Sequence, residues 1–149
     1  MSYDFLRKGR FSATGYFYHS TIVTAERRPV FADFASARHA VREMQTLEDE
    51  GRLKSVAWVL MPDHLHWLFQ LNDSGTLGET IRLFKGRSAR RVNSLLHRQG
   101  PLWQRAFYDH ALRAEEDLRT TARYIVANPL RAGIVDVIGD YPHWDAIWL

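Results

Sequence analysis

Two imidazoles separated by one residue, His64 and His66, stand in the run Met61-Pro-Asp-His-Leu-His-Trp-Leu-Phe69. On a β-strand, residues two apart point to the same side and lie roughly 6.6 Å apart along the chain. Both rings can therefore turn toward one metal ion. The flanking pattern says which side that is. Leu65, Trp67, Phe69 and Leu71 form an apolar row, whereas His64, His66, Leu68 and Gln70 form the other. The first row is the natural core face, so the histidines project from the opposite one, where a site can be built. Alone, a His-x-His pair is a weak signal, equally compatible with half-exposed strand residues or satisfied core groups.

A second pair of reactive side chains lies much later. Residues 114–128 read as a helix, with Glu115, Glu116 and Asp117 in the first turn, where they suit the positive end of the helix dipole. Leu118, Ala122, Ile125 and Val126 supply an apolar stripe, and Pro129 is expected to end the helix, because a residue before proline is pushed out of helical geometry. Tyr124 and Asn128 are one turn apart on one face of such a helix, so a phenol and a carboxamide project together. The bland alternatives are a packing tyrosine and an Asn that merely marks a helix stop.

These groups need elements to position them. Residues 15–24 read as a first strand, and Asp33 can cap a helix running to about Asp49, which Gly51 ends. Residues 55–61 are a second strand, Pro62-Asp63 a tight turn, and residues 64–71 a third strand. Thr76 and Glu79 have capping-box spacing and open a basic helix to about His97. Gln99-Gly-Pro101 breaks it, and residues 102–112 are mainly extended. The Tyr124 helix follows, then a loose aromatic tail over about 136–149. The order strand–helix–strand–strand–helix–strand predicts an α+β, ferredoxin-like split βαβ sandwich, an antiparallel sheet with helices packed on it.

The charge is unevenly placed. The chain carries a formal net charge of only +3, yet residues 80–108 contain no Asp or Glu. Arg82, Lys85, Arg87, Arg90, Arg91, Arg98 and Arg105 all fall there. Such a block is the footprint expected of a protein that binds a phosphate backbone, although a solvated helix face would look similar. Phe84, Trp103, Phe107 and Tyr108 are interleaved with the cations, as suits unstacked single-stranded bases, with several of them expected in the core.

The motifs together resemble the single-tyrosine HUH transposases, and within them the REP-associated tyrosine transposases of bacteria. The resemblance is carried by Tyr18-His-Ser-Thr-Ile-Val-Thr24, Met61-Pro-Asp-His-Leu-His66 and Leu102-Trp-Gln-Arg-Ala-Phe-Tyr-Asp-His110. It continues in Tyr124-Ile-Val-Ala-Asn-Pro-Leu-Arg-Ala-Gly-Ile-Val135 and Tyr141-Pro-His-Trp-Asp-Ala-Ile-Trp-Leu149, so it spans nearly the whole chain in order. One departure is Asp63, where many relatives carry Asn; the metal ligands are untouched. The resemblance implies the same fold, with His64 and His66 on a central strand facing a C-terminal helix that bears the catalytic Tyr124. It further implies a metal-dependent single-stranded DNA endonuclease and strand transferase, acting at palindromic hairpins through a 5′-phosphotyrosine.

The chemistry is coherent with that expectation. A phenol titrates near pH ~10 and is a poor nucleophile at neutral pH, and a phosphodiester repels it. A divalent cation, Mg²⁺ or Mn²⁺, held by His64, His66 and the amide oxygen of Asn128, would draw charge from the scissile phosphate. Lys85, Arg87, Arg90, Arg91, Trp103, Gln104, Arg105, His110 and Arg113 are the candidate DNA contacts, with Lys85 and Arg87 as phosphate clamps and Trp103 and Gln104 on a base. Each of these has a plainer role open to it as a surface cation or core residue. His19 and His97 are expected to be structural or solvent-facing, and His39 and His143 carry no motif. Two other classes stay open: a ferredoxin-like nucleic-acid-binding module without catalysis, and a metal phosphoesterase that activates water on the His-x-His pair.

Composition narrows the class further. The 149 residues make room for one domain with a real core, and 46% hydrophobic content with five Trp argues against disorder. Without cysteine there is neither a disulfide framework nor a thiolate zinc site. No N-terminal apolar run of signal or membrane length is present, so the expected place is the bacterial cytoplasm, on the nucleoid. Monomer and homodimer are equally compatible with the sequence.

Overall fold

The computed structural model describes residues 16–72, 75–112 and 115–147. Its elements in chain order are β1 (Phe17–Val23), α1 (Phe34–Asp49), β2 (Leu53–Met61), β3 (His64–Leu71), α2 (Leu77–Leu96), β4 (Tyr108–Leu112), α3 (Glu115–Val126), α4 (Asn128–Arg131) and β5 (Trp144–Ala146). The strands form one five-stranded sheet in the order β4-β1-β3-β2-β5, antiparallel throughout. The inner order β4-β1-β3-β2 is that of the split βαβ arrangement, with β5 added at the β2 edge.

Local signals explain the helix starts. The Asp33 carboxylate accepts from the Ser36 amide at 2.9 Å, and the Thr76 hydroxyl accepts from the Glu79 amide at 3.1 Å. Each cap satisfies a donor that the first helical turn leaves unpaired.

Alternation along the strands separates two cores. Tyr18, Ile22, Leu60, Leu65, Trp67 and Phe69 pack against Ala37, Ala40, Met44 and Leu47 of α1 and against Leu77, Ile81, Phe84 and Val92 of α2. On the opposite face Ala57, Val59, Leu68 and Leu112 meet Leu118, Ala122 and Ile125 of α3, with Tyr141 and Ala146. Strand β3 serves both, and its histidine row belongs to the α3 face.

The tight turn between β2 and β3 is tied to the β1–α1 connection. The Asp63 carbonyl accepts from the Thr24 amide (2.9 Å) and hydroxyl (3.1 Å), and the Pro62 carbonyl accepts from the Phe31 amide (3.0 Å).

Two expectations are corrected. Pro129 does not end helical structure. Helix α3 stops at Val126, Ala127 stays in the right-handed helical region, and Asn128–Arg131 makes one more turn with Pro129 near its start. Proline is tolerated there because the amide it lacks has no obligatory partner in a first helical turn. The real terminator is Gly133, at φ 73°. Its amide donates to the Leu130 carbonyl at 3.1 Å and the Ile134 amide to the Pro129 carbonyl at 3.0 Å, a Schellman closure. The tail, read as loose, supplies the edge strand β5 through Ala57↔Ala146 and Val59↔Trp144. Among the described residues no helix is long and apolar enough to cross a membrane.

Candidate active site

Strand β3 sets His64 opposite Val23 of β1 and Met61 of β2, and His66 opposite Thr21 and Val59. The two rings stand edge to face, 4.9 Å between centroids. Each is held by its Nδ1. The His64 Nδ1 lies 2.8 Å from Asp63 Oδ1, and the other Asp63 oxygen takes a bond from Arg27 at 3.2 Å. A carboxylate can only accept, so the His64 ring carries a proton on Nδ1. Burial alone would raise the Asp63 carboxyl, but the His64 bond and charge and the Arg27 guanidinium outweigh it and hold the group below the usual carboxylate range.

The Nδ1 of His66 meets His19 Nε2 at 3.0 Å and the Thr21 hydroxyl at 3.1 Å. Burial, with His64, His19 and Arg131 nearby, pushes His66 down to about 3. Burial, helped by His110, pushes His19 down to about 4. Both rings are thus neutral at pH 7, the state a metal ligand requires. No hydrogen bond among the described residues reaches the Nε2 of His64 or His66.

Helix α3 brings Tyr124 over this row. Its ring stands edge-on to His66, 6.4 Å between centroids, and the residue is 54% exposed. The Arg131 guanidinium lies 3.8 Å from the centre of the Tyr124 ring. Asn128 opens α4, half-buried, one helical turn beyond Tyr124. Among the described residues no group of three or more His, Cys, Asp or Glu gathers to enclose a cation. Two imidazoles on a strand and a carboxamide on a helix are nitrogen and oxygen donors of the kind that could hold a divalent cation.

Residues 12–128 match the family described as "Transposase IS200 like". The chain belongs to the IS200-like transposase family. It is 29% identical over 140 residues to a Haemophilus influenzae protein provisionally named a REP-associated tyrosine transposase, covering 87% of this transposase and 78% of that relative. It is 33% identical over 88 residues to the Escherichia coli REP-associated tyrosine transposase, covering 58% of this chain and 50% of the other. Within the family, then, its relatives are REP-associated tyrosine transposases. A solved structure of such a transposase bound to a REP hairpin shares the fold, with a TM-score of 0.73 at 24% identity over 91% of this chain and 79% of that one.

The expected DNA contacts of this transposase fall into two groups. Helix α2 covers the sheet face opposite the histidines, and several of its cations already have partners. The Lys85 ammonium donates to the carbonyls of Gln104, Arg105 and Ala106 at 2.9, 3.0 and 3.2 Å and sits over the Phe107 ring. Burial lowers its pKa. Lys85 therefore pins the chain before β4, a role other than the phosphate clamp the sequence suggests. Arg87 reaches both oxygens of Glu50 at 2.9 Å, and Arg91 binds Glu43 at 3.0 Å and His39 at 3.3 Å. Trp103 is 5% exposed, packs on Phe31 and Phe84, and donates to Ser88. That burial favours the core role over base stacking, the two readings the sequence leaves open for Trp103. Gln104 is half-buried, and its amide donates to the Val23 carbonyl. Arg90, Arg105 and His110 are exposed, His110 on edge strand β4 opposite His19. Arg113 lies outside the described residues.

Thr21 and Arg131 have no role assigned from the sequence, and His19, expected to be structural or solvent-facing, takes a structural one. His19 and Thr21 hold His66 from the neighbouring strand, and Arg131 covers Tyr124. The first two share the alternation row of Phe17, but only the β1–β3 register reveals what they face. Arg131 had a readable signal: it stands seven residues, about two turns, beyond Tyr124.

Proposed function

We propose that this transposase cuts and rejoins single-stranded DNA at the foot of palindromic hairpins, with Tyr124 as the nucleophile. The observation that carries the reading is the Tyr124 ring standing edge-on to His66, beside two imidazoles whose Nε2 atoms have no hydrogen-bond partner among the described residues. A divalent ion bound by His64, His66 and Asn128, Mg²⁺ or Mn²⁺, would draw charge from the scissile phosphate and orient it. The protein's part is to fix those donors. Asp63 and the His19–Thr21 pair each hold an Nδ1, so neither ring needs to reorganise when the substrate arrives.

The phenol of Tyr124 is open to solvent and can shed its proton there as its oxygen bonds to phosphorus. The bond from phosphorus to the 3′-oxygen breaks, and that oxygen takes up a proton. A 5′-phosphotyrosine and a free 3′-hydroxyl remain, so the bond energy is kept for rejoining. The hairpin bound by the relative of known structure supports the choice of substrate, and the exposed cations Arg82, Arg90 and Arg105 offer charge to its backbone. We place the reaction on DNA in the bacterial cytoplasm.

The test is a labelled hairpin with single-stranded flanks, incubated with protein and Mn²⁺ and run on a denaturing gel. A covalent adduct is expected, and Tyr124→Phe should abolish it while leaving hairpin affinity nearly unchanged, because only the oxygen is removed. Undiminished cleavage by Tyr124→Phe would replace this reading with water-activated hydrolysis.

A further inference from the structure

The geometry points to Arg131 as a further catalytic residue of this site, one that stacks on the nucleophile's ring and holds the scissile phosphate at the same time. This inference rests on the strand-transfer reading above.

Tyr124, Asn128 and Arg131 follow the spacing i, i+4, i+7, and the chain between them stays helical through Ala127. All three therefore project in one row. The guanidinium lies 3.8 Å from the Tyr124 ring centre. Its charge also reaches His66, where it adds to the groups that oppose protonation. A cation over the Tyr124 ring and near His66 sits where the phosphate must enter.

Its lack of an ionic partner is equally telling. Arg27, Arg28, Arg52, Arg87 and Arg91 each bind a carboxylate. Among the described residues Arg131, like Arg82 and Arg90, has none, and its guanidinium lies over the Tyr124 ring. A guanidinium that lies over a ring can keep N–H donors directed outward in its own plane. It can therefore accept a phosphate in a two-pronged bond without leaving the ring. The stack also holds the half-exposed phenol, which would otherwise sample several rotamers.

Arg131 is fixed in turn by the closure at Gly133, whose bonds to Leu130 and Pro129 bracket it. As Tyr124 Oη bonds to phosphorus and the 3′-oxygen departs, charge grows on the non-bridging oxygens that the Arg131 donors face. The same contact serves the reverse, joining step.

The experiment compares unaltered protein, Arg131→Ala, Arg131→Lys and Tyr124→Phe in single-turnover adduct formation with Mn²⁺, with melting temperatures measured alongside. Arg131→Ala should slow the adduct by about 100-fold, the scale of losing one transition-state donor. Lysine should restore only part of the rate, since an ammonium cannot donate as a planar fork. Guanidinium ion added to the buffer should partly rescue Arg131→Ala and leave Tyr124→Phe inactive.

A second arm needs no metal. In EDTA, on the Tyr124→Phe background, Arg131→Ala should reduce the slope of log K against log salt on the flanked hairpin by about 0.7. An unaltered rate in Arg131→Ala overturns the proposal. So does a slowed rate with a lowered melting temperature, no guanidinium rescue and an unchanged salt slope, which is the pattern of a structural role. If the unaltered protein forms no adduct, the strand-transfer reading falls. The reduced salt slope in EDTA would then still report the phosphate contact, but the catalytic role would be lost with the reaction.

Discussion

The two faces of strand β3 differ in how they are packed, one given to stability and the other to the proposed chemistry. Toward α1 and α2, Leu65, Trp67, Phe69 and Leu71 are wholly buried. Toward α3, Leu68 is buried, but burial gives way at His66 and His64, both only partly covered. Helix α3 covers one end of its face and leaves the other open, with Tyr124 overhanging the border. A site built on a strand that is packed hard from behind inherits the strand's rigidity, while its own side chains contribute little to folding.

The comparison can be broken first at Trp67. Trp67→Ala should cost about 3–5 kcal/mol in urea unfolding, from lost burial and the void left between Phe69 and Phe84. A cost close to that of a surface change would mean that this face is not the stabilising one. Acid should act on the opposite face. His66 and His19 fall to about 3 and about 4 in the folded state, from 6.5. The unfolded chain therefore binds more protons between those limits. Stability should be constant above about pH 6.5 and fall as pH drops through that window. A melting temperature followed from pH 7 to pH 4 checks this, and a His19→Asn variant should flatten part of the slope.

Gly133→Ala tests the closure behind Arg131. The left-handed φ should cost about 1–2 kcal/mol, although there is open space for the methyl group. The smallest change in folding is expected at the site itself. His64→Ala should move unfolding by less than about 1 kcal/mol, since one part-exposed hydrogen bond is lost. Its Mn²⁺ binding by calorimetry should nevertheless fall. A stability loss as large as that of Trp67→Ala would show that the two faces are not divided in this way.

Much of this division was legible in the chain. The alternation from His64 to Leu71 assigned both faces correctly, and Asp33 and Thr76 marked their helices through side-chain oxygens that need only local partners. What stayed hidden depends on residues far apart in sequence. The acid-free block around α2 looked like an unbroken DNA surface, yet Glu43 and Glu50 come from α1 and its end to neutralise Arg91 and Arg87. Lys85 finds backbone carbonyls beyond a loop, and Trp103 fills a gap between Phe31 and Phe84. His19 looked like an ordinary strand residue because nothing in one strand reveals its neighbour's register. The extra turn at Asn128 was missed because proline was read only as a helix stop, though it also fits a helix start.

The turn that carries Asp63 bears on where motion is found during the reaction. Its two carbonyls hold the amides of Thr24 and Phe31 and the Thr24 hydroxyl. Those amide protons can exchange with solvent only when the β1–α1 connection lifts from the sheet, so they should rank among the slow-exchanging class rather than with the loops. A carboxylate seated on such a slow segment does not travel to meet its substrate. On the strand-transfer reading proposed above, the accommodation at this site falls to the substrate.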